Sequence, residues 1–167
     1  MNERLKRVIL GDRRTIAGTV YGTIVVMSVI AAGAKAYEHQ LWRLVVLAGG
    51  SSVVVWLAHV YAHTLGESLV LGRRVTVDEL SSIARREYSV IAAAILPLAA
   101  VSLGAVGLLA QRTSVQLALW LGVVALGAQG IRYARLENLS RRAAYATTGV
   151  NLAIGLGLVA LEVLIAH

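Results

Sequence analysis

The chain has 167 residues, 57% of them hydrophobic and 15% charged, with a formal net charge of +7. That much apolar surface exceeds what one core of this size can hold, which excludes an ordinary water-soluble globule and assigns the surplus to lipid. Cysteine is absent, so there is no disulfide framework, thiolate metal site or thiol nucleophile, and basic residues set beside apolar runs read as membrane-orienting charge and not as a nucleic-acid surface.

Five uncharged runs punctuate the sequence, at 15–34, 44–66, 88–111, 113–131 and 143–161, the last continuing past Glu162 to about 165. Each has the roughly 20 residues needed to cross a hydrocarbon layer about 30 Å thick. With no water to satisfy backbone groups, each should be a helix despite its Val, Ile and Gly content. The expectation is an all-α integral membrane protein, a single transmembrane domain over 1–167 made of a five-helix bundle.

The first run carries Gly18 and Gly22 in a G-x-x-x-G arrangement suited to close helix contact. The preceding Arg13-Arg14 pair and the Ala34-Lys35-Ala36 pattern resemble a cleavable leader, but the apolar span is long for a signal core, and a retained first helix is expected. In the second run Gly49, Ser52, Trp56, His59, His63 and Gly66 recur at spacings of three and four, which lines them up along one stripe that should face protein. Glu67 extends the His59, His63 series by another four residues. An amphipathic connector at 68–87 follows. Thr76 and Glu79 form a T-x-x-E capping box, and Leu80, Ile83 and Ala84 share a face opposite Arg85 and Arg86, as in a helix lying on a membrane surface or leading directly into the next span.

Pro97, the only proline, should kink the third helix by removing one backbone hydrogen bond. Gly104 and Gly107 in that run, Gly122, Gly127 and Gly130 in the fourth, and Gly149, Gly155 and Gly157 in the fifth extend the small-residue theme. The fifth run bears a second stripe, Ala144, Thr148, Asn151, Gly155 and Glu162, which should also face inward; Glu162 itself is expected to snorkel to the headgroups.

Lys and Arg number five, two, four, one, four and none in successive extramembrane segments. Because cytoplasmic segments hold the excess, the N-terminus and the amphipathic connector are expected inside the cell and the C-terminus outside. Tyr37 and Trp42 then mark the outer interface, and Tyr88, Tyr133 and Tyr145 the inner one. Arg outnumbers Lys 14 to 2, a composition that suits a GC-rich bacterial genome, and a bacterial inner membrane is the expected location.

Ionisable and polar groups inside a bilayer are costly and tend to carry function. His59, His63, Glu67, Gln129, Thr148 and Asn151 fall at depths that permit one polar cluster in the inner half, a pathway for protons or cations. His59 and His63 at i and i+4 could hold a divalent metal, although Val60 after His59 breaks the zinc-protease pattern; no cofactor is otherwise implied. Gly18, Gly22, Gly49 and Ser52 are assigned to helix packing. No run contains Asp and no serine sits in a nucleophile frame, which disfavours an enzyme. Two functions remain: an oligomeric channel or carrier for protons or cations, or a non-transporting scaffold or accessory subunit whose polar residues are interhelical hydrogen bonds. Either way the partners are the lipid bilayer and a second copy or another membrane subunit, with no nucleic acid.

Overall fold

A computed structural model describes residues 13–166, all of whose regular structure is helical. The basic residues Arg4, Lys6 and Arg7 lie outside the described residues. The helices are α1 (Arg13–Gly33), α2 (Leu41–Leu71), α3 (Val77–Arg86), α4 (Tyr88–Ala92), α5 (Ile95–Ala105), α6 (Gln111–Leu136) and α7 (Arg141–Ala166). Among the described residues four helices are long and apolar enough to cross a membrane, and five if the bent pair of Val77–Ala92 and Ile95–Ala105 counts as one span.

α1 is the central stave. It packs against α2 and α4 on one side and α6 and α7 on the other, while α5 fills the gap between α2 and α6. Val26, Met27, Ile30 and Leu44 are fully buried in the middle, joined by Val101, Leu119 and Leu126. Large apolar side chains elsewhere point out of the bundle, among them Val46, Val54, Leu57, Leu69 and Val70 on α2 and Val150, Leu156 and Leu164 on α7. An exterior of this kind is hostile to water and compatible with a transmembrane protein.

Three helix ends are built on αL residues, the first being Gly72, at φ 63, after α2. Gly107, at φ 79, closes α5 in a Schellman motif, with Leu108 N–H donating to Leu103 O and Gly107 N–H to Gly104 O. Gly107 is therefore a turn residue, not the packing glycine of a longer third helix, and Gln111 begins α6. Asn138, at φ 50, does the same for α6 through Leu139 N–H to Ala134 O, and Ser140 then caps α7.

The second, fourth and fifth apolar runs underestimate the helices they mark, whereas the third overshoots α5, which ends at Ala105. α2 extends to Leu71, so its 31 residues span about 46 Å, and Ser68–Leu71 belong to it, not to the connector. The connector proper is α3, opened by the expected capping box between Thr76 and Glu79. Arg73 clamps the box with two hydrogen bonds to the Glu79 carboxylate, at 2.7 and 3.1 Å. That guanidinium first, and the Thr76 backbone N–H second, hold the Glu79 carboxyl down at about 2.

Ile83 is buried and the Trp56 indole N–H donates to Ala84 O at 3.2 Å, which ties α3 to α2. α3 then runs through Glu87 into α4. The third run breaks at Ala93–Ala94, where the axis turns by 48° before α5. This is one turn upstream of Pro97, whose ring excludes the Ala93 carbonyl and whose nitrogen has no proton to offer it.

Candidate functional site

The order in which the helices run along the bundle sorts the charge. Arg73, Arg74, Arg85, Arg86, Arg132, Arg135, Arg141 and Arg142 gather at the end of the bundle that holds the C-terminus of α2 and the α6–α7 turn, called here the basic end. Lys35, Arg43 and Arg112 lie at the other.

At the basic end, α1, α2 and the start of α4 enclose a groove of about 1000 Å³, lined by Tyr21, His59, His63, Glu67 and Glu87 and floored by Ala17, Gly18 and Gly66. The helical spacing of His59 and His63 sends both rings to the same side of α2, with centroids 6.5 Å apart. His59 is half-buried and stacks in a tilted arrangement on Tyr21, at 4.7 Å between centroids. The His63 side chain is 56% exposed.

Both rings have an assignable tautomer. His59 Nδ1 lies 3.1 Å from Val55 O, and His63 Nδ1 lies 3.0 Å from His59 O. A carbonyl only accepts, so in the neutral form of each ring Nδ1 carries the proton and Nε2 is the acceptor. Glu87 places its carboxylate 3.6 Å from His63 Nδ1. The groove thus presents two bases, one backed by a mostly buried carboxylate.

The acidic neighbour of the histidines is Glu87, not Glu67. Glu67 turns to Arg86, with 3.6 Å between the charged atoms. Among the described residues no three His, Cys, Asp or Glu side chains are grouped to hold a metal ion, so the triad of His59, His63 and Glu67 does not converge in this structure. Tyr21 and Glu87 were not singled out from sequence. Glu87 carries a weak signal, as the carboxylate directly bordering an apolar run; the ring contact of Tyr21 depends on how α1 and α2 cross.

The other polar residues of the predicted cluster lie across α1. Asn151 Nδ2 donates to Leu126 O at 3.2 Å, Thr148 and Asn151 rest against Gly130, and Gln129 accepts from Arg132 at 3.3 Å. The first two are α6–α7 contacts and the third lies within α6; none of these residues lines the histidine groove. Thr148 faces a second groove at the basic end, with Arg135, Arg141 and Tyr145.

The small residues divide as well. Gly18 and Gly22 press on Ser89 and Val90 of α4, Gly49 meets Leu98, and buried Ser52 donates to Ala48 O. Gly104, Gly122, Gly127, Gly130 and Gly155 are likewise in contact, whereas Gly149 and Gly157 face open space. At the opposite end Glu162 is only 9% exposed and lines a cavity of about 150 Å³ with Lys35, Glu38, Gln111 and Arg112. It does not snorkel outward, because the ends of α1 and α6 enclose it. Comparison with family models, curated proteins and solved structures finds no match.

Proposed function

We propose that this protein is a multi-pass cell-membrane protein that exchanges protons through the histidine groove, with the basic end in the cytoplasm. The observation that carries the reading is the pair of imidazoles lining a large groove, each with its Nδ1 against a helix carbonyl, and with Glu87 beside His63. Imidazole changes charge near neutral pH, and a ring anchored through Nδ1 can take and release a second proton at Nε2 without moving. A cation is the less favoured cargo, because among the described residues no third ligand is grouped with the two histidines. Tyr21, which covers His59, limits access from one side. The groove is open along the exterior of the bundle, so sealing it from lipid calls for a second copy or a membrane partner. The orientation rests on the excess of Lys and Arg at the basic end.

A scaffold role is the second reading, and one observation favours it. Fully buried Val26, Met27, Ile30 and Leu44 fill the bundle between the two ends, so a single copy in this conformation has a groove and a plug. The experiment is proton flux into proteoliposomes across a range of pH values, with divalent metal flux as a parallel arm. Wild-type flux that disappears in the His59→Ala, His63→Ala double variant, at equal incorporation, supports proton exchange. Absence of flux in wild type under every condition transfers the assignment to the scaffold.

A further inference from the structure

A second depression at the basic end has a different chemistry. Between the start of α1 and the α3–α4 junction lies a pocket of about 310 Å³ lined by Thr15, Thr19, Arg85, Arg86, Tyr88 and Ser89. Arg85 and Arg86 are exposed and Tyr88 is exposed beside them, while Ser89 is 8% exposed. The Ser89 Oγ is buried and makes no hydrogen bond. That is unusual for a hydroxyl, which can rotate to find a partner and is costly to bury without one.

The surroundings explain why the protein does not satisfy it. Ser89 lies against Gly18, whose missing side chain leaves α1 no polar group there, and the Thr19 hydroxyl already donates to Thr15 O at 2.8 Å. The guanidinium of Arg86 is shared with Ser82 and Glu67. Among the described residues Arg85 has only the Ser81 hydroxyl, at 2.9 Å, as a bonded partner, and no carboxylate is paired with it. A small pocket with one such guanidinium, a second within reach and a donor hydroxyl in its wall matches a tetrahedral oxyanion, for which Arg supplies paired donors.

We propose that this pocket binds a phosphoester anion, such as the headgroup of an anionic phospholipid at the membrane interface. The inference shares with the proton-exchange reading only the placement of the helices in a bilayer, and either can fail without the other. Its location suits a headgroup, since Tyr88 sits where an apolar run meets a basic connector, the level at which interfacial tyrosines and headgroups meet.

The test is native mass spectrometry of the full chain extracted from vesicles of phosphatidylcholine and phosphatidylglycerol, with and without inorganic phosphate. Retention of phosphatidylglycerol should fall about tenfold in Arg85→Gln and about threefold in Ser89→Ala, the scale expected for losing a charge-assisted and a neutral hydrogen bond. It should be unchanged in Arg141→Gln, Arg142→Gln, which removes equal or greater charge from the same end. Ser89→Ala is the decisive variant, because it removes a hydroxyl that bonds to no protein group and leaves the charge of the pocket unchanged. Inorganic phosphate that displaces the lipid, with the same dependence on Arg85 and Ser89, supports the site and identifies free phosphate as its other source. Equal losses in the Arg85 and Arg141, Arg142 variants, or retention indifferent to Ser89, would mean diffuse attraction to a basic surface and overturn the proposal.

Discussion

Gly22 offers a test of the bundle that is independent of any assigned function. A Cβ built there would collide with the Val90 carbonyl oxygen and lie 2.9 Å from its carbon and 3.0 Å from Val90 Cα. These are backbone atoms, so relief requires α1 and α4 to separate, and overpacking of this kind costs about 1–3 kcal/mol. The gain in helix propensity from Gly to Ala, about 1 kcal/mol, offsets only part of it. Gly18 is the milder neighbour, since its closest contact is the Ser89 side chain, which can rotate. Gly149 has nothing within 4 Å, and there the propensity gain stands alone. The expected order of stability is therefore Gly149→Ala at or above wild type, then Gly18→Ala, then Gly22→Ala. Thermal unfolding in detergent micelles, followed by circular dichroism, should place Gly22→Ala several degrees below wild type, at roughly 2–4 °C per kcal/mol for a chain of this length. If Gly22→Ala melts together with Gly149→Ala, the α1–α4 contact is not the close approach described.

Asn151→Leu should destabilise by about 0.5–1.5 kcal/mol, the range of interhelical hydrogen bonds in membranes, yet leave any proton flux intact because Asn151 lies off the groove; flux abolished with the fold preserved would contradict that division. The Glu79 carboxyl, held down at about 2, makes the α3 cap acid-sensitive. A depressed carboxyl stabilises above its ordinary value and loses that contribution as pH falls toward its folded one, so the cap should be intact above about 4.5 and open progressively down to about 2. An NMR titration of the Glu79 carboxyl carbon reads this directly, and Arg73→Gln should raise the midpoint; a midpoint already ordinary in wild type would rule the clamp out.

Much of the architecture was legible because its causes are local. Charges interrupt apolar runs, and Thr76 with Glu79 writes a helix start into four residues. The helix ends were harder. Trp42 and Arg43, or Glu67 and Ser68, are polar enough to end an apolar run and still good helix formers, so the run measures the greasy length and α2 is longer. Pro97 signalled a break, but its effect falls on the carbonyl one turn earlier. The site was legible only by half. Spacing placed His59 and His63 on one face of α2, but whether Glu67 or Glu87 meets them depends on the α3–α4 return. Equal depth could not reveal that α1 stands between the histidines and the Gln129, Thr148 and Asn151 group. Glu162 was misread for a related reason: its burial comes from the ends of α1 and α6.

The central position of α1 has a consequence for how the molecule is made. A chain that enters a membrane helix by helix delivers α1 before α6, yet Met27 of α1 packs against Gly122 of α6, about a hundred residues later. Until then the seam that α6 and α7 fill is uncovered, and closing the bundle requires these later helices to return to α1. Assembly is therefore governed by its latest event, and a ribosome stalled before α6 would leave an α1–α5 fragment with its principal seam unfilled.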